Sequence, residues 1–155
     1  MITFNKVRWK NFLSTGNQFT EIQLDYAPTT LIIGENGAGK STILDALCFV
    51  LFNKPFRNIS KSQLVNSVNG NGTIVEVEFN VNNKDVKVVR GIKPNKFEVW
   101  IGDTMNNLQD RKSKGLSETS GTTNLGIELS FFHTGCDSRF FNFYTIHAVV
   151  YKGSP

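Results

Sequence analysis

The sequence predicts an α/β domain in which antiparallel strands flank a buried strand that runs through a glycine-rich turn into an apolar helix. Three observations predict this. Thr30–Ile33 is a short, largely apolar run ending at Gly34, the signature of a buried central strand. Ser41–Phe52 is apolar nearly all round, with Asp45 its only charge, so a helix there must be buried. In Thr73–Val81, Val75, Val77 and Phe79 point one way and Glu76 and Glu78 the other, which describes a sheet with one wet face.

The other elements follow in order. Ile2–Lys10, rich in β-branched and aromatic residues, reads as a strand, and Phe19–Leu24 as a second after the turn Ser14–Asn17. Pro55 marks the end of the apolar helix, and Ser60–Val65 adds one helical turn. The cluster Asn69-Gly70-Asn71-Gly72 is a turn. After Thr73–Val81, Asn82-Asn83 turns into the strand Lys84–Gly91, and Lys93-Pro94-Asn95 turns into Lys96–Ile101.

At 155 residues the protein has room for one domain with a sizeable core. No apolar run reaches the roughly 18–20 residues of a membrane span, and charges interrupt Met1–Phe12 before a signal-peptide core can form. The expectation is a cytoplasmic protein. Cys48, within the apolar helix, reads as a small reduced core residue. A formal charge of +4 permits a polyanionic partner without demanding one.

The chemistry sits in Gly34-Glu35-Asn36-Gly37-Ala38-Gly39-Lys40-Ser41-Thr42, which fits G-x-x-x-x-G-K-[ST] at every fixed position. Glycines let the backbone fold tightly, so that consecutive N–H groups converge on a phosphate. Lys40 supplies a positive charge toward the β- and γ-phosphates, and the Ser41 hydroxyl is placed to ligate Mg²⁺. The helix that starts here turns its positive end to the anion. A strand before the loop and a helix after it are the context this motif requires. The implied cofactors are ATP and Mg²⁺. No residue is named as catalytic: Glu76 and Glu78 follow no apolar run that would aim them at a nucleotide, and read as solvent-facing strand positions.

This loop, the hairpin before it and the antiparallel strands after it resemble the N-terminal lobe of the ABC-type ATPase heads of SMC-like, SbcC-type double-strand-break repair ATPases. The likeness is greatest to the ATPase subunits of T-even phage recombination endonucleases. Lys10-Asn11-Phe12, Leu31–Thr42, Leu44-Asp45-Ala46, Leu51–Arg57 and Arg90 carry it. The resemblance covers about Met1–Leu108. It implies two heads that sandwich two ATP molecules, a partner nuclease whose access to DNA ends ATP controls, and a coiled coil and second ATPase half C-terminal to this lobe. Signature motif, Walker B carboxylates, Q-loop and switch His are not found here, so the fragment is expected to be inactive alone. Many relatives carry Arg after Asn-Phe; this sequence has Leu13.

The sequence divides into 1–114, the lobe, and 115–155. The first part carries 15 basic against 10 acidic residues, the second 2 against 3. Gly115–Gly126 is rich in Ser, Thr and Gly, and a cluster of Phe without periodicity follows. One extra adenine at the Lys114 codon would explain the switch. Read in the other frame, the segment can be written as a stop-free string resembling the family's continuation, including the glutamine that relatives use as the Q-loop. The tail is therefore expected to be non-native. His133, Cys136 and His147 offer only three ligands at no recognised spacing, which does not make a metal site.

Two other functions compete. One is a non-catalytic nucleotide-binding or interaction module that caps a full-length ATPase head. The other is a small-molecule kinase, which the hairpin-connected Thr73–Ile101 disfavours. Lys54, Arg57, Lys61, Lys84, Lys87, Arg90, Lys93 and Lys96 form a basic run that could meet DNA, though acidic residues alternate with it.

Overall fold

The computed structural model describes residues 2–27, 29–107 and 147–150. Its main sheet is built from β1 Ile2–Lys10, β2 Thr20–Gln23, β4 Thr73–Val81, β5 Lys84–Ile92, β6 Lys96–Ile101 and β7 Thr104–Asn107. These six lie in the order β2-β1-β4-β5-β6-β7, with all neighbours antiparallel. The helix α1, Lys40–Phe52, packs on β1, β4 and β5. A 3-10 turn, Lys61–Leu64, stands where one helical turn was expected.

The core follows from the alternation. Val75, Val77 and Phe79 of β4 and Val86 and Val88 of β5 are buried toward the helix, with Phe49, Leu47 and Val50 of α1 opposite. In β1 the inward positions change parity, from Ile2 and Phe4 to Val7 and Trp9. A register shift between Phe4 and Lys6 inserts Asn5 as an extra residue and keeps both pairs inward. Phe4 thereby meets Phe79, ring centroids 5.3 Å apart.

Turn chemistry fixes the hairpins. Asn82 and Asn83, at φ 49° and 63°, make the two-residue β4–β5 turn, a backbone that Asn tolerates better than most residues. Gly102, at φ 53°, opens the β6–β7 turn. That turn and β7 were not read from the sequence, although Gly102-Asp103 was the signal for them.

Two expectations are corrected. β3, Thr29–Ile32, is not a buried central strand: Leu31 is 54% exposed and Ile33 79%. It lies outside the six-stranded sheet and pairs only with β8, His147–Val150, in parallel. With no further strand beside it among the described residues, nothing covers Leu31. Cys48 is fully buried, as its helix requires, but it is disulfide-bonded rather than reduced. Whether a buried cysteine is bridged depends on whether the fold brings another within bonding distance, and sequence separation does not reveal that. Of 115–155 only β8 is described; Gly115–Gly126, His133 and Cys136 lie outside the described residues. No helix among the described residues is long and apolar enough to cross a membrane.

Candidate nucleotide-binding site

The backbone leaves β3 at Ile32 and reaches the first turn of α1 through a tight loop. Its tip is a β-turn in which the Ala38 N–H donates to the Glu35 carbonyl at 3.1 Å, with Asn36 and Gly37 at its centre. Gly37 and Gly39 sit at φ 88° and 87°, in the left-handed region that a larger residue would strain. A Cβ on Gly34 would stand 3.3 Å from that of Ala38, so this position also favours glycine.

Lys40 is 9% exposed, and its ammonium folds back over the loop. The Nζ donates to the Gly34 carbonyl and, at 2.7 Å, to that of Glu35. The charge is thus held at the mouth of the turn. The backbone N–H groups of Gly37, Gly39, Lys40 and Ser41 find no acceptor among the described residues. The helix start has no side-chain cap and no acidic residue in its first turn. Unsatisfied donors, the positive helix end and an ammonium converge there, an arrangement suited to a multiply charged anion. Ser41 is half-buried beside the loop, and Thr42 is buried, its N–H on the Gly39 carbonyl at 3.0 Å. All nine residues Gly34–Thr42 thus lie on one loop-helix junction.

Three polar clusters tie together the helix and the loops around it. Asp45, fully buried, accepts the backbone N–H groups of Phe56 and Arg57 at 3.1 and 3.0 Å, and the Arg57 guanidinium at 2.6 and 2.5 Å. The lone charge of the apolar helix therefore ties down the Pro55–Arg57 loop. Arg90, 7% exposed, donates from Nε to the Val50 carbonyl at 3.0 Å and lies 3.9 Å over the Phe97 ring. Burial pushes its pKa down to about 10, so it remains charged at neutral pH beside the negative end of the helix.

The third cluster joins the loops after β1 and before β4. Asn11, at φ 50°, receives a bond from Asn69 Nδ2 at 2.7 Å and donates to Asn17 at 2.9 Å. Its carbonyl accepts from Thr73 Oγ1 at 2.7 Å, and Asn66 Nδ2 donates to the Leu13 carbonyl at 2.9 Å. The sequence marks Asn11 through resemblance and Asp45 also as the one charge of the apolar helix, and gives Asn66 no role. Its one visible signal was a polar residue between Leu64-Val65 and a turn cluster.

Elsewhere several of the sequence-marked charges are occupied. Glu76 and Glu78 lie on the polar sheet face, as expected, but under ion pairs: Arg8 reaches Glu76 at 2.7 Å, Lys87 reaches it at 3.0 Å, and Lys6 reaches Glu78 at 3.5 Å. Burial raises the Glu76 pKa, but bonds from Lys87 and Arg8 outweigh this and hold it below the ordinary 4.5. The basic run is dispersed: Arg57 pairs with Asp45, Lys87 with Glu76, Lys96 with Glu98 at 3.3 Å, and Arg90 is buried.

An antiparallel sheet over a helix that begins at such a loop is the N-terminal lobe of an ABC-type ATPase head, and solved heads share this fold. The Smc head domain of Pyrococcus furiosus matches with a TM-score of 0.52 at 24% identity, over 71% of this protein and 31% of that one. The recombination mediator protein RecF matches at 0.53 and 20%, over 68% of this protein and 28% of that one. The protein belongs to the AAA domain family, whose model matches residues 6–144. It is 46% identical over 100 residues to exonuclease subunit 2 of Enterobacteria phage T4, covering 64% of this protein and 18% of the relative. To the DNA double-strand break repair Rad50 ATPase of Sulfolobus acidocaldarius it is 30% identical over 130 residues, 83% of this protein and 14% of the relative. It thus corresponds to an SMC-like, SbcC-like N-terminal fragment and spans less than a fifth of the length of these curated relatives.

Proposed function

We propose that this protein is the ATP-binding N-terminal part of a recombination and repair ATPase that, as a whole, governs a partner nuclease at DNA ends. The observation that carries this is the loop-helix junction: free N–H groups of Gly37, Gly39, Lys40 and Ser41 beside the Lys40 ammonium, with no acid in the first helical turn. These residues fit a nucleotide's phosphates. Glu35–Gly39 would wrap them, Lys40 would bind the β- and γ-phosphates, and Ser41 would offer its hydroxyl to Mg²⁺. The metal, when bound, neutralises phosphate charge. Lys40, held by two loop carbonyls, needs little reorganisation to meet it. The names of the phage and archaeal relatives support the repair setting and suggest DNA and a nuclease subunit as partners, and the family resemblance adds a second head.

Alone, the fragment presents half a site. Titration of the purified protein with Mg·ATP, followed by calorimetry, should show weak binding that Lys40→Ala abolishes. Binding indifferent to Lys40→Ala would sink the assignment. Phosphate release at a rate stoichiometric with enzyme would show that the fragment is a complete ATPase, contrary to this reading.

We also infer that 115–155 is a frame-shifted tail. The drop in basic residues after Lys114 and the aperiodic Phe cluster support it. Pairing of β8 with β3 does not require a native strand, since an open edge accepts any short apolar, β-branched segment. Reading the nucleotides around codon 114 tests it: an A-rich run is expected, and a codon free of one removes the basis for the inference.

A further inference from the structure

The sequence has three Asn-Gly pairs, Asn36-Gly37, Asn69-Gly70 and Asn71-Gly72, and in each the asparagine is exposed. Asn-Gly is the sequence at which an asparagine most readily deamidates, because glycine leaves its own nitrogen unshielded. The reaction needs that glycine N–H to be available. Gly70 donates its N–H to the Asn66 carbonyl at 2.8 Å, and Gly72 donates to the Lys93 carbonyl at 2.7 Å. Asn69 is held further, its Nδ2 on Asn11 at 2.7 Å. Both pairs belong to the polar network between the two loops and are locked.

Asn36-Gly37 differs on each count. The β-turn there uses the Ala38 N–H, so the Gly37 N–H has no acceptor among the described residues. Nor does the Asn36 amide have a hydrogen-bond partner among them. A Cβ placed on Gly37 would meet nothing within 4 Å, so the space around the nitrogen is open.

We propose that Asn36 is a site of spontaneous deamidation that converts the phosphate-binding loop into one that repels phosphate. The Gly37 nitrogen attacks Asn36 Cγ. A bond forms between them, the Cγ–Nδ2 bond breaks, and ammonia leaves with the proton that Gly37 gave up. Water then opens the cyclic imide. Breaking the new Cγ–N bond gives aspartate, and breaking the original peptide bond to Gly37 gives isoaspartate. No oxidant or co-reactant other than water is needed. Either product sets a carboxylate beside the N–H groups that would hold the nucleotide, and like charges at that range repel. Isoaspartate also lengthens the loop backbone by one methylene. The consequence for nucleotide binding rests on the proposed function; the modification itself does not.

The test is peptide mapping by mass spectrometry after the purified protein is aged at mildly alkaline pH. Aspartate and isoaspartate should accumulate at residue 36 several-fold faster than at 69 or 71. Equal rates at the three pairs, or faster conversion at 69 or 71, would overturn the proposal. Asn36→Gln, whose extra methylene makes ring closure slow, should abolish the product at 36 and leave 69 and 71 unchanged. A second arm adds Mg·ATP, which should slow conversion at 36 alone by engaging the Gly37 N–H. If conversion at 36 is selective but Mg·ATP leaves it untouched, the modification stands and the nucleotide reading fails.

Discussion

Asp45 shows how much one residue can hold. It is fully buried and accepts four hydrogen bonds, two from backbone N–H groups and two from Arg57. Removing it would leave buried donors without an acceptor, although Arg57 is half exposed and water can rescue its guanidinium. Asp45→Ala should therefore lower stability by about 2–3 kcal/mol, less than the loss of a wholly buried pair. Urea unfolding would measure this, and a change within about 0.5 kcal/mol, the range of ordinary surface substitutions, would show that the Pro55–Arg57 loop is held otherwise. Asp45→Asn keeps one acceptor oxygen and should fall between. In the sequence, Asp45 stands out as the single charge within an apolar helix, and a buried charge requires a partner. Which residue did so was not legible, because the partner arrives from a loop that carries no periodic signal.

Strands and turns behave more predictably than loops. The alternation in β4 alone defines its inward face, and the observed β4 and β5 differ from the expected spans by at most a residue. The β4–β5 turn offers a direct check. Asn83 sits at φ 63°, with its N–H on Asn80 Oδ1 at 3.0 Å. Asn83→Ala should lose about 1 kcal/mol because alanine adopts the left-handed region less readily than asparagine, whereas Asn83→Gly should hold or slightly raise the melting temperature. Equal effects of Ala and Gly would mean that the turn does not impose this backbone. The ladder across β1, β4 and β5 makes a second prediction. Glu76 has its folded pKa below 4.5, so its contribution is present above the unfolded value and is lost as pH falls through the folded one. The urea midpoint should drop on that acid limb, and Glu76→Gln should flatten this part of the drop while lowering the plateau. A midpoint whose acid dependence is the same in Glu76→Gln would rule the ladder out as its cause. By contrast, the bulge at Asn5 was legible only as a change of parity between Phe4 and Val7, and β3 was misread as buried. A short run such as Thr30–Ile33 fits a buried strand or an open one equally well, and only the neighbouring strands decide which.

For the molecule as a whole, those neighbours set the behaviour of β3. It precedes the loop of the candidate site, yet Leu31 is 54% exposed and Ile33, just past the strand's end, 79%. The strand pairs along one edge only, with β8, and its other edge has no partner among the described residues. An open edge beside two large apolar residues is an arrangement that folded proteins usually cover or charge. This protein should therefore self-associate as its concentration rises, and sedimentation velocity would show species heavier than the monomer. The double variant Leu31→Thr, Ile33→Lys should shift the distribution toward monomer while circular dichroism leaves the sheet signal unchanged, since neither residue belongs to the six-stranded core. Unaltered association in that variant would place the sticky surface elsewhere. If association and the Lys40-dependent binding of Mg·ATP respond to different substitutions, the strand and the loop it feeds act independently in this fragment.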